Sequence, residues 1–327
     1  MNVEINHLGK TLNSVFYDGN IDTELVNKIR NEFYNENKDL AIKQLQGVLN
    51  EGKSKNNYIY AYYFERIAND TVVDSKWSIN QMLECDELIQ TFHNKVMGSS
   101  EKVFPDKTKT MQNFKTVIRL GGSFISKKPT QFPIKVMRQI LGEFTTENQL
   151  YYDPCMGWGM RMMIAAEYGL HYVGNDVNLD LMYKLKELKE DIQTIKPFKA
   201  NLIYKGSEVF QPSLEGKVDF IFTSPPYFDL EVYKGSEYLR EQNYDDWLEL
   251  FMKTMLENCM RYLKNNKYCL INIKNTKGKM MYDDTVKIAE EIGFIFEGER
   301  DLKQANRTHE TKKHGDSSEK IMVLKKQ

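Results

Sequence analysis

The hexapeptide Thr223-Ser224-Pro225-Pro226-Tyr227-Phe228 holds the most distinctive chemistry in the chain. The Ser224 hydroxyl and the Pro225 carbonyl are neighbouring hydrogen-bond acceptors, and Pro225 and Pro226 stiffen the backbone so that the carbonyl is aimed in advance. Such a pair suits an exocyclic amino group on a nucleic-acid base. That nitrogen is a poor nucleophile because its lone pair is delocalised into the ring. Capturing both amino protons favours the tetrahedral nitrogen that attack requires. Tyr227, with Phe228 beside it, offers a ring on which an extruded base can stack. In isolation Pro-Pro-Tyr also reads as a plain turn, so its place in the fold decides.

A second constellation lies upstream, in Asp153-Pro154-Cys155-Met156-Gly157-Trp158-Gly159-Met160-Arg161, with Asp176 following. Glycines after a strand let the backbone approach a cofactor closely. A carboxylate ending the next strand suits two ribose hydroxyls. Nicotinamide enzymes share this geometry, but the third glycine of their fingerprint is missing and Asp153 would repel a pyrophosphate. S-adenosylmethionine carries an amino group and a sulfonium, for which a carboxylate is a fitting partner. Cytosine C5 chemistry would need a cysteine at the Ser224 motif; Cys155 stands in the other loop and reads as pocket lining.

The elements that must position these loops are legible as alternating strands and helices. Strands are expected at Leu150–Asp153, His171–Asp176, Asn201–Tyr204, Val218–Thr223, Tyr268–Ile273, Phe294–Glu297 and Glu319–Leu324. Helices are expected at Met160–Tyr168, Leu179–Thr194, Tyr244–Leu263 (capped by Asp245 or Asp246) and Asp283–Ile292. This alternation implies an α/β fold with a doubly wound, mostly parallel, seven-stranded Rossmann-like sheet, the last two strands being free to pair antiparallel at one edge. Val218–Thr223 is apolar on both faces, as a central parallel strand should be. Residues 1–110 read as a smaller, mainly helical region and 111–327 as the catalytic domain. In the first region Asp22–Tyr34 and Asp39–Leu49 have helical spacing, Glu51–Asn57 is a polar loop, Tyr58–Phe64 is rich in aromatics and Ser78 is a helix cap.

The two motifs together resemble the amino-methyltransferase family of DNA modification enzymes, in its N4-cytosine and N6-adenine branches. The resemblance covers residues 128 to 327. It implies S-adenosylmethionine as cofactor, held by Asp153, Pro154, Cys155, Gly157, Gly159, Asp176 and Thr223. It implies catalysis at Ser224, Pro225, Pro226 and Tyr227, with Tyr227 and Phe228 stacking on the base. Lys128 and Pro129 stand where the family has a further cofactor motif, and Ser207, within Gly206-Ser207-Glu208, stands at the adenine side. Serine before Pro-Pro-Tyr is similar to the cytosine-N4 branch, with adenine N6 next. The implied partner is double-stranded DNA with the target base flipped out, in the manner of restriction–modification enzymes. RNA amino-methylation of the guanine-N2 type and a non-catalytic nucleic-acid binder are the alternatives. Trp158, Met160 and Arg161 depart from the family pattern. No hundred-residue stretch remains after the last strand for target recognition. That task falls to the N-terminal region, the Lys303–Ser318 segment, or the Asp229–Asn243 loop with Glu231, Tyr233, Tyr238 and Arg240. The loop suits a lid over substrate and equally a plain surface.

Composition sets the remaining bounds. The 327 residues are 41% hydrophobic and 28% charged, as in soluble globular proteins. No apolar run approaches the ~20 residues that span a bilayer, and the start lacks a signal-peptide core, so a cytoplasmic protein is expected. Four cysteines without C-x-x-C spacing and five scattered histidines indicate no metal site. The net charge of −1 does not favour nucleic acid, but two basic clusters do. One comprises Lys102, Lys107, Lys109, Lys115, Arg119, Lys127, Lys128, Lys135 and Arg138; the other comprises Lys303, Arg307, Lys312, Lys313 and Lys320 with His309 and His314.

Overall fold

The protein is seen in a computed structural model that describes residues 2–7, 10–16, 21–34, 36–73, 78–98, 102–103, 106, 108–109, 111–115, 131–228, 231–232, 243–276, 278–301 and 320–327. Lys128, Pro129, Tyr233, Tyr238, Arg240 and nearly all of the second basic cluster lie outside the described residues.

In chain order the first elements are β1 (Asn2–His7), β2 (Lys10–Phe16), α1 (Thr23–Glu32), α2 (Lys38–Glu51), α3 (Asn57–Tyr63), α4 (Glu65–Ala68), β3 (Val72–Val73), α5 (Ile79–Leu83) and α6 (Asp86–Gly98). The β1–β2 antiparallel hairpin was not anticipated; each strand offers too few alternating positions to stand out from coil. The helix signals hold: Asp22 and Asn37 accept from the third N–H beyond them, and Ser78 forms a reciprocal capping box with Gln81.

The rest of the chain contains α7 (Ile134–Phe144), β4 (Leu150–Asp153), α8 (Met160–Glu167), β5 (His171–Asp176), α9 (Leu179–Ile195), β6 (Ala200–Tyr204), β7 (Val218–Thr223) and β8 (Glu231–Val232). After β8 come α10 (Tyr244–Asp246), a π-helical turn (Trp247–Lys253), α11 (Thr254–Tyr262), β9 (Leu263–Ile273), α12 (Met281–Ile292), β10 (Ile295–Asp301) and β11 (Lys320–Lys325). Asn243, not Asp245 or Asp246, caps the helix that begins at Tyr244, its side chain accepting from Asp246 N at 2.9 Å. The amide oxygen stands at the position from which it reaches the free N–H groups, whereas both aspartates already lie inside the first turn.

Seven strands form one sheet in the order β10-β11-β9-β7-β4-β5-β6. The pairs β4–β5, β4–β7, β5–β6 and β7–β9 are parallel, and β11 runs antiparallel between β9 and β10. The order reverses between β4 and β7. In such sheets the crevice at the carboxyl ends of those two strands is where ligands bind. The two motif-bearing loops leave the sheet there, side by side.

Alternate residues of the strands feed two cores. Tyr151, Tyr172, Phe220, Phe222 and Leu270 pack toward α7, α8 and α9 on one face; Tyr152, Ile221, Cys269, Ile271 and Met322 pack toward α11 and α12 on the other. The first core also takes in Ala41, Leu45, Val48, Ile59, Tyr63 and Phe64, so α2 to α4 are built onto the sheet's helical layer. Tyr62 and Tyr63 donate to Glu187 (2.6 Å) and Asp191 (2.5 Å) of α9, and Lys38 bridges the same two carboxylates. A separate small core joins α1, α5 and α6 around Val26, Ile29, Leu88 and Phe114.

Arg138, one of the first basic cluster, faces inward. It donates to both Glu167 oxygens, to the carbonyls of Val48, Gly52 and Lys53, and to Ser54 Oγ. With its donors so committed it clamps α7 and α8 to the end of α2, and it is withdrawn from any phosphate-contacting face.

Candidate functional site at the switch point of the sheet

The loop after β4 turns on Gly157 (φ +51°) and Gly159 (φ +67°), in the left-handed region that glycine adopts without strain. A Cβ on Gly159 would stand 3.0 Å from Leu185, Leu188 and Phe64, so this glycine also permits close packing of α8. A Cβ on Gly157 would meet nothing within 4 Å, which leaves that backbone open to a ligand.

Asp176 ends β5 across from this turn. Its Oδ2 accepts Gly157 N at 3.1 Å and its Oδ1 accepts Asn178 N at 2.9 Å. Burial raises its carboxyl from 3.8 to about 6, against the lowering effect of those N–H groups. The carboxylate thus takes N–H groups from Gly157, Val177 and Asn178, which leaves acceptor capacity for a further donor.

Asp153 does something other than what its sequence position suggests. It is fully buried; Arg161 Nε donates to Oδ2 at 2.7 Å, Arg161 Nη2 to Oδ1 at 3.2 Å, and Tyr172 Oη to Oδ2 at 2.9 Å. Arg161 also donates to the Cys155 carbonyl. The Asp153 carboxylate, expected to meet a cofactor amine, is engaged here in an internal ion pair that fixes the loop. Arg161, unusual at sight, is its cause.

Thr223 is buried at the end of β7 and ties the two loops together: its Oγ1 accepts Cys155 N at 3.0 Å. The Cys155 sulfur lies 3.9 Å from Ser207 Oγ, and burial pushes its thiol well above the ordinary range, so it is held neutral. Ser207 is buried and its carbonyl accepts Asn258 Nδ2 at 3.0 Å.

Beyond Thr223 the backbone leaves the sheet through Ser224, Pro225, Pro226 and Tyr227. The Ser224 hydroxyl donates to the Asn272 carbonyl at 3.1 Å and accepts from Asn272 Nδ2 at 3.2 Å. Tyr227 is 9% exposed, with the Lys274 ammonium 5.8 Å from its ring centre. Phe228 packs edge-on against Tyr244 and Trp247, which binds it to the π-helical turn, and Lys279 lies over Phe228 and Tyr244. Backbone pairing of Val72 and Val73 with Val232 and Glu231 brings the N-terminal region to the segment just after this motif.

A sequence model of the DNA methylase family, of the N6/N4 type, matches residues 14–187 and 218–327. The chain belongs to this family. No curated protein matches the methylase. Among solved structures it is similar to a TehB-like SAM-dependent methyltransferase from Corynebacterium glutamicum, with 17% identity, 58% of this chain and 86% of that one covered, and a TM-score of 0.41. A methyltransferase from Pyrococcus furiosus shares 15% identity over 68% and 98% of the chains, with a TM-score of 0.41. Magnesium protoporphyrin IX methyltransferase from Synechocystis, with bound SAM, shares 11% identity over 58% and 76%, also at 0.41.

The methylase is a methyltransferase, and its cofactor is S-adenosylmethionine. The switch-point crevice fits that group: Asp176 has acceptor capacity left for ribose hydroxyls, and the Gly157 backbone faces open space. Three features of the methylase's site had escaped sequence reasoning: the Asp153–Arg161 pair, Asn272 and the two lysines over the aromatic rings. Asn272 had a signal. It is a polar residue in the apolar run of β9 and is 3% exposed, and such a residue is buried in a strand only with a partner or a purpose.

Proposed function

We propose that the protein methylates an exocyclic amino group of a base in DNA, with N4 of cytosine favoured and N6 of adenine next. The observation that carries this reading is the placing of Ser224-Pro225-Pro226-Tyr227 at the carboxyl end of β7, tied through Thr223 to the glycine turn after β4. S-adenosylmethionine supplies, when bound, a methyl group made electrophilic by its sulfonium. Asp176 would hold the ribose, and the Gly157 and Gly159 turn would let the backbone lie against the cofactor. Ser207 and Cys155 line the far side of that crevice. Ser224 Oγ and the Pro225 carbonyl accept the two amino protons and turn the nitrogen lone pair toward the methyl. Tyr227 stacks on the base, which must leave the duplex to reach this depth. Phe228 stands beside it, held edge-on by Tyr244 and Trp247. Asp153 acts through Arg161 on the shape of the loop. The serine at the first motif position is the feature that favours cytosine.

Mass spectrometry of nucleosides tests the reading. The purified protein is incubated with S-adenosylmethionine and unmethylated duplex DNA, with transfer RNA in parallel. N4-methylcytosine or N6-methyladenine in the DNA is the expected result. Methylguanosine in the RNA alone would replace this reading with amino-methylation of RNA. Cofactor binding without product on either would point to a non-catalytic binder.

A further inference from the structure

We propose that Asn272 fixes the hydrogen-bonding polarity of Ser224 and supplies a further side-chain acceptor, which shares the two protons of the target amino group with Ser224 Oγ and the Pro225 carbonyl. The proposal rests on the amine-holding reading of the Ser224 motif.

Serine is an ambiguous residue at such a position. Its hydroxyl has one proton and two lone pairs, so it can meet an amino group as acceptor or a carbonyl as donor. An aspartate or asparagine oxygen has no such freedom. In this chain Asn272 removes the ambiguity. The parallel pairing of β7 with β9 sets Thr223 beside Ile271, so the next residue on each strand, Ser224 and Asn272, also stand together. The Ser224 proton is committed to the Asn272 carbonyl at 3.1 Å. One lone pair is committed to Asn272 Nδ2 at 3.2 Å. What remains to face a ligand is a lone pair.

The second observation is an orphan. Asn272 is 3% exposed, and its Oδ1 has no hydrogen-bond partner among the described residues. A buried acceptor left unmatched is uncommon and unfavourable, and the N–H groups of a bound base would satisfy it. Ser224 is too short to present a carboxamide; the neighbouring strand provides one beside it. The resulting pair of acceptors selects an amino-bearing base edge over its oxo counterpart, because a carbonyl there would face lone pairs only.

The test uses the full chain, with methyl transfer measured at saturating S-adenosylmethionine and DNA, cofactor affinity by calorimetry, and melting temperature as the folding control. Asn272→Leu deletes both the donor and the orphan acceptor and should lower kcat about 100-fold, with the cofactor Kd unchanged. Asn272→Asp keeps acceptor oxygens and loses only the donor, so kcat should fall about tenfold. A packing role alone would give the opposite order, because a buried carboxylate disturbs the site more than a leucine does. The proposal is overturned by a leucine variant within about threefold of the wild-type kcat, or by an aspartate variant slower than the leucine one. Should Asn272→Leu fail to fold, Asn272→Ala makes the same deletion without added bulk, and the same criteria apply. Wild-type protein that yields no product on either nucleic acid would overturn the underlying reading and this proposal with it. Wild-type product with an unaffected Asn272 variant overturns this proposal alone.

Discussion

Replacing Asp176 with asparagine should change both how tightly the methylase holds its cofactor and how that affinity responds to pH. Burial raises the Asp176 carboxyl from 3.8 to about 6 in the free protein. Ribose hydroxyls donate to the ionised form, so binding must draw the group back to that form. A displacement of about two pH units corresponds to about 3 kcal/mol between the two protonation states. Below about pH 6 each bound cofactor therefore has to expel a proton, and Kd should rise about tenfold per pH unit. The cofactor's own amino group (about 8) and carboxyl (about 3.5) keep their charges between pH 5 and 7, so the slope belongs to the protein. Isothermal titration calorimetry of S-adenosylmethionine from pH 5 to 8 reads this directly. Wild-type Kd should be level above about pH 7 and climb below about pH 6. Asp176→Asn should bind about 10- to 100-fold more weakly at pH 7.5, having lost charge-assisted acceptors, and should show no slope. A wild-type profile flat from pH 5 to 7, or a variant with wild-type affinity at pH 7.5, would refute the assignment of Asp176 to the ribose.

The same carboxyl affects the free protein's stability. Because its folded value lies above the unfolded one, its contribution is most favourable below about pH 4 and is lost as pH rises through about 6. Between pH 5 and 7.5 the stability of Asp176→Asn relative to wild type, from urea denaturation, should improve by about 1–2 kcal/mol; a constant difference would contradict this. Arg161→Met strands the buried Asp153 carboxylate and should cost about 3–5 kcal/mol in the same assay, whereas a loss under 1 kcal/mol would mean that the pair is not load-sharing. Tyr227→Ala should leave the cofactor Kd within about twofold and lower transfer about 10- to 100-fold, as loss of one stacking partner implies. Weakened cofactor binding with transfer intact would reverse the roles given to Tyr227 and Asp176.

How far the sequence could be read depended on where each residue's partner lay. The strands β4, β5 and β7 stood out because central parallel strands are apolar on both faces and are bounded by glycine, aspartate or proline. The helix cap at Ser78 was legible because a cap bonds three residues away. The cap at Asn243 was misplaced by two or three residues because three capping side chains follow one another there with only Tyr244 between. The placing of β11 between β9 and β10 was beyond reach, since strand order depends on contacts remote in sequence. So was the docking of α2 to α4 on α9, which rests on pairs such as Tyr63 with Asp191.

The candidate site repeats that division in its chemistry. Gly157, Asp176 and Ser224 could be singled out because their roles follow from their own conformational freedom, charge or place at a strand end. Asp153 could not be read in that way, for a carboxylate's function is set by whichever cation reaches it first, and here that cation is Arg161, eight residues further on. The pairing has a consequence for the site as a whole. With Asp153 paired inside the loop, Asp176 is, among the described residues of the β4 and β5 ends, the carboxylate without a cation partner, and its own N–H partners, Gly157, Val177 and Asn178, belong to the two turns there. Thr223 carries the same loop across to Ser224 through its hydroxyl, which accepts from Cys155 N and donates to the Cys155 carbonyl. A cofactor that shifts the glycine turn therefore shifts the residue from which the target-binding motif springs. Cofactor binding is therefore expected to improve binding of the target base. Measured affinity for duplex DNA should accordingly rise when a non-reactive cofactor analogue is present, and Thr223→Val, which removes the tie, should erase that gain while leaving the affinity without analogue unchanged.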